Sequence, residues 1–104
     1  MKKLFSLCIV LFCAFYTVAQ VVPDPNPIPL GYKGQITLTF DPAKGNGGMV
    51  GATACYAHIG YCTANSDWLG VKGDWGTTNQ PQLTKTADGK WQLVIDNMFS
   101  FFGV

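Results

Sequence analysis

The chain has 104 residues, seven basic and six acidic side chains, and a formal net charge of +1. All the bases are lysine and all the acids aspartate, and the lysines lie scattered, which excludes a surface built to follow a nucleic-acid backbone. One histidine and no glutamate exclude the paired carboxylates and nucleophile–base pairs of most hydrolytic chemistry, so the chain reads as a non-enzyme.

In chain order, residues 1–19 read as a secretory signal. Lys2 and Lys3 form a positive start, Leu4 to Val18 an almost unbroken apolar run, and Thr17-Val18-Ala19 a small-residue cleavage site. An apolar run of about 15 residues falls short of the roughly 20 that span a bilayer. A lipoprotein reading is weaker still, since Leu7 before Cys8 and Phe12 before Cys13 are bulky where a small residue is expected. Removing 19 of the 104 residues leaves 85, one small domain, with five lysines against six aspartates and hence a net charge near −1. The expected location is outside the cytoplasm: periplasm, cell surface or medium.

The signal carries away Cys8 and Cys13, leaving Cys55 and Cys62. A regular strand between them would hold their Cα atoms roughly 23 Å apart and on opposite faces, against the roughly 4.4 to 6.8 Å a disulfide needs. The sequence therefore predicts no bridge between them unless the chain bends at Gly60.

Residues 20–34, QVVPDPNPIPLGYKG, place a proline at every second position from Pro23 to Pro29. Each fixes φ and removes a donor, so the segment is expected to be extended and confined to a spacer or sheet edge. Residues 35–104 form the folded module. QITLTF alternates Ile36, Leu38 and Phe40 with polar neighbours, the period-two pattern of a half-buried strand. DPAKGNGG is expected to be a turn, since it lacks the spaced ligands and closing glutamate of a calcium loop. A second strand spans CYAHIGYCT, and a short one is expected near Leu69 to Lys72. Asp88-Gly89 between QLTKT and KWQLVID predicts a hairpin, with Trp91, Leu93 and Ile95 on one face. No helical periodicity follows the signal.

The fold class is therefore all-β, and the architecture that suits it is an immunoglobulin-like sandwich. Only four or five strands are legible against about seven in such a sandwich. The terminal MFSFFGV is an apolar run that would ordinarily lead into another buried element, so the module is expected to be incomplete, lacking C-terminal strands.

Aromatics, not catalytic groups, carry the functional signal. In a regular strand Tyr56 and His58 share a face. If Ala57, Ile59 and Tyr61 fill the core, that face looks outward and Gly60 leaves the space beside it open; otherwise both are hydrogen-bonded core residues. Trp68 and Trp75 sit in Gly-rich, polar sequence as either ligand platforms or plugs over the end of the fold. Lys72 is either a donor to a sugar hydroxyl or a solvated surface lysine. A pyranose has an apolar C–H face and a polar rim, so it stacks on an aromatic ring and bonds to neighbouring polar groups.

YAHIG, DWLGVKGDWG and PQLTKTADGKWQLVI resemble the starch-binding modules of carbohydrate-binding module families 25 and 26. ITLTFDPAKGNGG, CYAHIGYCTANSDWLGVKGDWG and WQLVI through SFFGV resemble the N-terminal immunoglobulin-like domain of secreted Bacteroidetes α-amylase-family proteins, over roughly residues 35 to 104. The resemblance implies an α-glucan partner gripped by Tyr56, His58 and Trp68, with Trp75 and Lys72 as additions, no cofactor or metal, and a neighbouring catalytic domain that lies outside this sequence. The departures are His58 in place of a second strand aromatic and cysteine at 55 and 62. Two rival readings are a structural spacer with no ligand, in which Tyr56 and His58 are buried, and a metal or redox site joining His58, Cys55 and Cys62 within about 4 Å.

Overall fold

The computed structural model describes residues 6–10, 21–44 and 47–104. The regular structure of the described chain is mostly strand: β1 (Ser6–Val10), β2 (Val21–Asp24), β3 (Ile36–Phe40), β4 (His58–Cys62), β5 (Thr84–Lys85) and β6 (Trp91–Ile95), followed by one helix, α1 (Met98–Phe102). β1 pairs with β4 in one antiparallel sheet, and the order β2-β3-β6-β5 forms the other, also antiparallel. Among the described residues no helix is long and apolar enough to cross a membrane.

Period-two patterning builds the larger sheet. Ile36, Leu38 and Phe40 are buried while Thr37 and Thr39 are half-buried, so β3 shows one apolar face to the core. In register they oppose Ile95, Leu93 and Trp91, which puts the apolar face of β6 beside that of β3. β2 is an edge strand carrying Pro23, a position where the missing N–H breaks no ladder, as the proline spacing predicts. The hairpin joining β5 to β6 turns at Ala87, Asp88 and Gly89. The Gly89 N–H donates to the Thr86 carbonyl at 3.1 Å, that of Thr86 to the Lys90 carbonyl at 2.7 Å, and Gly89 takes φ +81°. A turn closed by a left-handed residue is the usual three-residue hairpin, and glycine adopts that φ without a Cβ clash.

Residues 81–85 tie the sheets together. The Ala57 N–H donates to the Pro81 carbonyl and that of Leu83 to the Cys55 carbonyl, both at 2.8 Å, and the next two residues are β5 on the edge of β6. One core collects Ile36, Leu38, Phe40, Trp91 and Ile95 from the larger sheet, Ala57 and Ile59 from around β4, and Met98 and Phe102 from α1.

β1 lies inside the segment read as a signal, and it pairs along an edge of β4, from Val10 opposite His58 to Ser6 opposite Cys62. Cys55 is a free, buried thiol and Cys62 is disulfide-bonded, so they are not joined to each other; the partner of Cys62 lies outside the described side chains.

Two expectations need correction. The C-terminal apolar run is itself a helix, although no helical period was legible. The Asn97 side chain accepts from the N–H groups of Phe99 and Ser100 at 2.9 and 3.2 Å, and Gly103 at φ +72° ends the helix with bonds back to its last turn. Met98 and Phe102, four residues apart on one face, are buried. The strand expected over Leu69 to Lys72 is only a single bridge, Tyr61 to Leu69, because Trp68 and Gly70 on either side take left-handed φ values of +63° and +61°.

Candidate functional site: an aromatic cluster on the outer face of β4

Cys55, Ala57 and Ile59 are 2, 0 and 0 % exposed, whereas Tyr56 and His58 are half-buried. Strand alternation therefore turns Tyr56 and His58 away from the core. The imidazole stands between two indoles: the Trp68 ring centroid is 4.9 Å away at 55°, and the Trp75 centroid 4.3 Å away at 86°, an edge-on contact. Trp75 remains 53 % exposed and Trp68 is half-buried.

The loop that delivers Trp68 is docked by backbone. Tyr61 and Leu69 exchange N–H···O bonds of 2.8 and 2.7 Å, and the Lys72 N–H donates to the Ile59 carbonyl at 3.2 Å. Gly60 makes this approach possible. A Cβ there would stand 2.9 Å from the Leu69 carbonyl oxygen and 3.6 Å from the Trp68 ring. The space beside His58 is thus covered by the loop and not left open, a correction to the sequence expectation. Trp68 itself sits in the left-handed region, an unusual conformation for a bulky residue that costs on the order of 1–3 kcal/mol and survives because the surrounding bonds fix it.

Trp75 is delivered by a second tight loop. Gly73, at φ +71°, lies so close to Asn79 that a Cβ would meet its carbonyl oxygen at 2.5 Å. Thr77 bonds back to the Asp74 carbonyl through both its N–H, at 3.1 Å, and its hydroxyl, at 2.8 Å. Under the rings lies Gln80, 5 % exposed, whose Oε1 accepts from the Gly76 N–H at 3.1 Å and whose Nε2 is 3.2 Å from His58 Nδ1. Gln80 also borders a cleft of about 230 Å³, together with Met49, Tyr56, Thr77 and Thr78.

The structure thus brings His58 into ring contact with Trp68 and Trp75 and sets Tyr56, two residues before β4, away from the core like His58 and lining the adjoining cleft. It does not bring Lys72 there. The Lys72 ammonium lies 5.3 Å from the Phe101 ring centroid and 5.9 Å from that of Phe102, which ties it to α1. Gln80 was missed: TTNQPQ reads as an ordinary polar loop, and nothing in it marks which residue folds inward. The cysteines do not converge on His58. Cys55 points into the core, where burial pushes its thiol pKa up, and Cys62 is already bonded. Among the described residues no group of three or more metal-ligating side chains assembles. The surface is suited to stacking and neutral hydrogen bonding. Compared with protein-family models, curated proteins and solved structures, the chain gives no match.

Proposed function

We propose that this chain is a non-catalytic carbohydrate-binding module, an immunoglobulin-like sandwich that holds starch or a related α-glucan by stacking, outside the cytoplasm and beside a catalytic domain of α-amylase type. The observation that supports this most is the trio of His58, Trp68 and Trp75, with ring centroids 4.9 and 4.3 Å from the imidazole and one indole more than half exposed. An indole offers the apolar face that a pyranose needs, while His58 and the cleft beside Tyr56 offer polar partners for its hydroxyls. The two-sheet core supports the sandwich reading, and the resemblance to starch-binding modules supports the choice of an α-glucan. Each aromatic contact adds only about 0.5–1.5 kcal/mol beyond area burial, so a single site is weak and its usefulness lies in avidity with neighbouring modules.

The spacer reading draws on one observation of its own: Trp68 packs on Gly60 and covers β4. Affinity electrophoresis through amylose separates the two. Retarded wild type with unretarded, folded Trp75→Ala supports glucan binding; Trp75 is the better probe because it is more exposed than Trp68. Equal, unretarded migration of both supports the spacer.

A further inference from the structure

The amide of Gln80 has an acceptor end and a donor end, and its two contacts assign them. Oε1 accepts the Gly76 N–H at 3.1 Å, so the NH₂ group is what faces His58 Nδ1 at 3.2 Å. An amide NH₂ only donates; Nδ1 must therefore hold a lone pair, and in a neutral imidazole the proton then sits on Nε2. Turning the amide over would set its NH₂ against the Gly76 N–H around a side chain only 5 % exposed, two donors facing each other without water to separate them. Across the ring, no hydrogen bond from Nε2 to a described residue is formed, no buried polar side-chain atom among the described residues lacks a partner, and the imidazole as a whole contacts both indoles, at 4.9 and 4.3 Å between ring centroids.

We infer that Gln80 is a positioning residue that fixes His58 as the Nε2–H tautomer, so that the ring cluster presents one oriented hydrogen-bond donor between Trp68 and Trp75. The ligand class it selects is a neutral polyol placing a hydroxyl or ring oxygen, as acceptor, against Nε2 while its C–H face lies on an indole. A ligand with only donors there, such as an ammonium group, is turned away. The ligand half of this inference rests on the carbohydrate reading; the tautomer half does not.

The chain has a single histidine, so long-range ¹H–¹⁵N correlation of its ring gives one pattern, read at a pH where the imidazole is neutral. The expected wild-type pattern is Nε2 protonated and Nδ1 bare. Gln80→Glu keeps an acceptor for Gly76 and sets a second acceptor against Nδ1, so the proton moves to Nδ1; Gln80→Leu gives the mixed pattern of an unconstrained ring. Backbone amide spectra identify variants that remain folded. A wild-type ring that is mixed or protonated at Nδ1, or an unchanged pattern in folded Gln80→Glu, overturns the tautomer assignment. Amylose retardation is then compared between wild type and folded Gln80→Glu. Its loss in the variant supports the donor role, and equal retardation overturns it. Wild type that shows the expected tautomer but no retardation upholds the tautomer assignment and overturns the carbohydrate ligand.

Discussion

Gly60 and Trp75 illustrate how differently two residues of one site respond to change. A Cβ at 60 meets a backbone oxygen at 2.9 Å, which cannot step aside as a flexible side chain would. Gly60→Ala should therefore push the Trp68 loop off β4 and cost about 1–3 kcal/mol, visible as a lowered urea midpoint together with an altered near-ultraviolet tryptophan signal. Trp75→Ala removes a ring 53 % exposed together with its edge-on contact to His58, and should cost about 0.5–1.5 kcal/mol of stability while removing any retention on glucan. Cys55 offers a third residue-scale test. Burial raises its thiol pKa, so less of the reactive thiolate is present at neutral pH, and alkylation should be slow in the native protein and rapid once it is unfolded.

At the scale of elements, the β5–β6 hairpin and α1 each rest on one polar side chain. The Thr86 hydroxyl donates to the Asp88 carboxylate and holds its pKa below the usual carboxylate range, with Lys90 a smaller contributor. A carboxylate depressed in the folded state contributes stability that is present above its unfolded pKa and is lost as pH falls through the folded one. Asp88→Asn should therefore flatten the acid side of the stability–pH curve, and because Asp88 is solvent-exposed the change should be small. Asn97→Ala removes the N-cap of α1 and also the bond from Asn97 Nδ2 to the Lys33 carbonyl at 2.9 Å. A loss of about 1–2 kcal/mol is expected, measured by denaturant unfolding. The hairpin was legible because Asp-Gly between β-prone runs is a local signal. α1 was not, because five residues span too little chain for a 3.6-residue period to show, and its cap becomes meaningful only once Met98 and Phe102 have a core to enter.

For the whole molecule, β4 is the element that couples core, site and N-terminal strand. On one side Ala57, Ile59 and Tyr61 spend backbone groups on Pro81, Lys72 and Leu69, so His58, Gly60 and Cys62 face β1. A chain starting at Gln20 should show faster amide exchange at His58, Gly60 and Cys62 than the full chain, with Ala57 and Tyr61 unchanged; hydrogen exchange by NMR resolves the two sets. Because β4 also carries the aromatic cluster on its outer face, loosening this edge should weaken ring contacts along with it.

The strands β3 and β6, the edge position of the proline segment and the turn at Gly89 were determined by sequence, since alternation, missing donors and turn chemistry act over a few neighbouring residues. So was the composition that leaves aromatic stacking as the main chemical resource. Tertiary structure decided the rest: that Tyr56 and His58 face outward, that Gly60 is a docking point, that Lys72 belongs to α1, and that Gln80 lies beneath the rings. Each of these depends on groups that are distant in sequence or on a choice between two faces of one strand, and local pattern cannot make that choice because a cysteine and a tyrosine stand on each face.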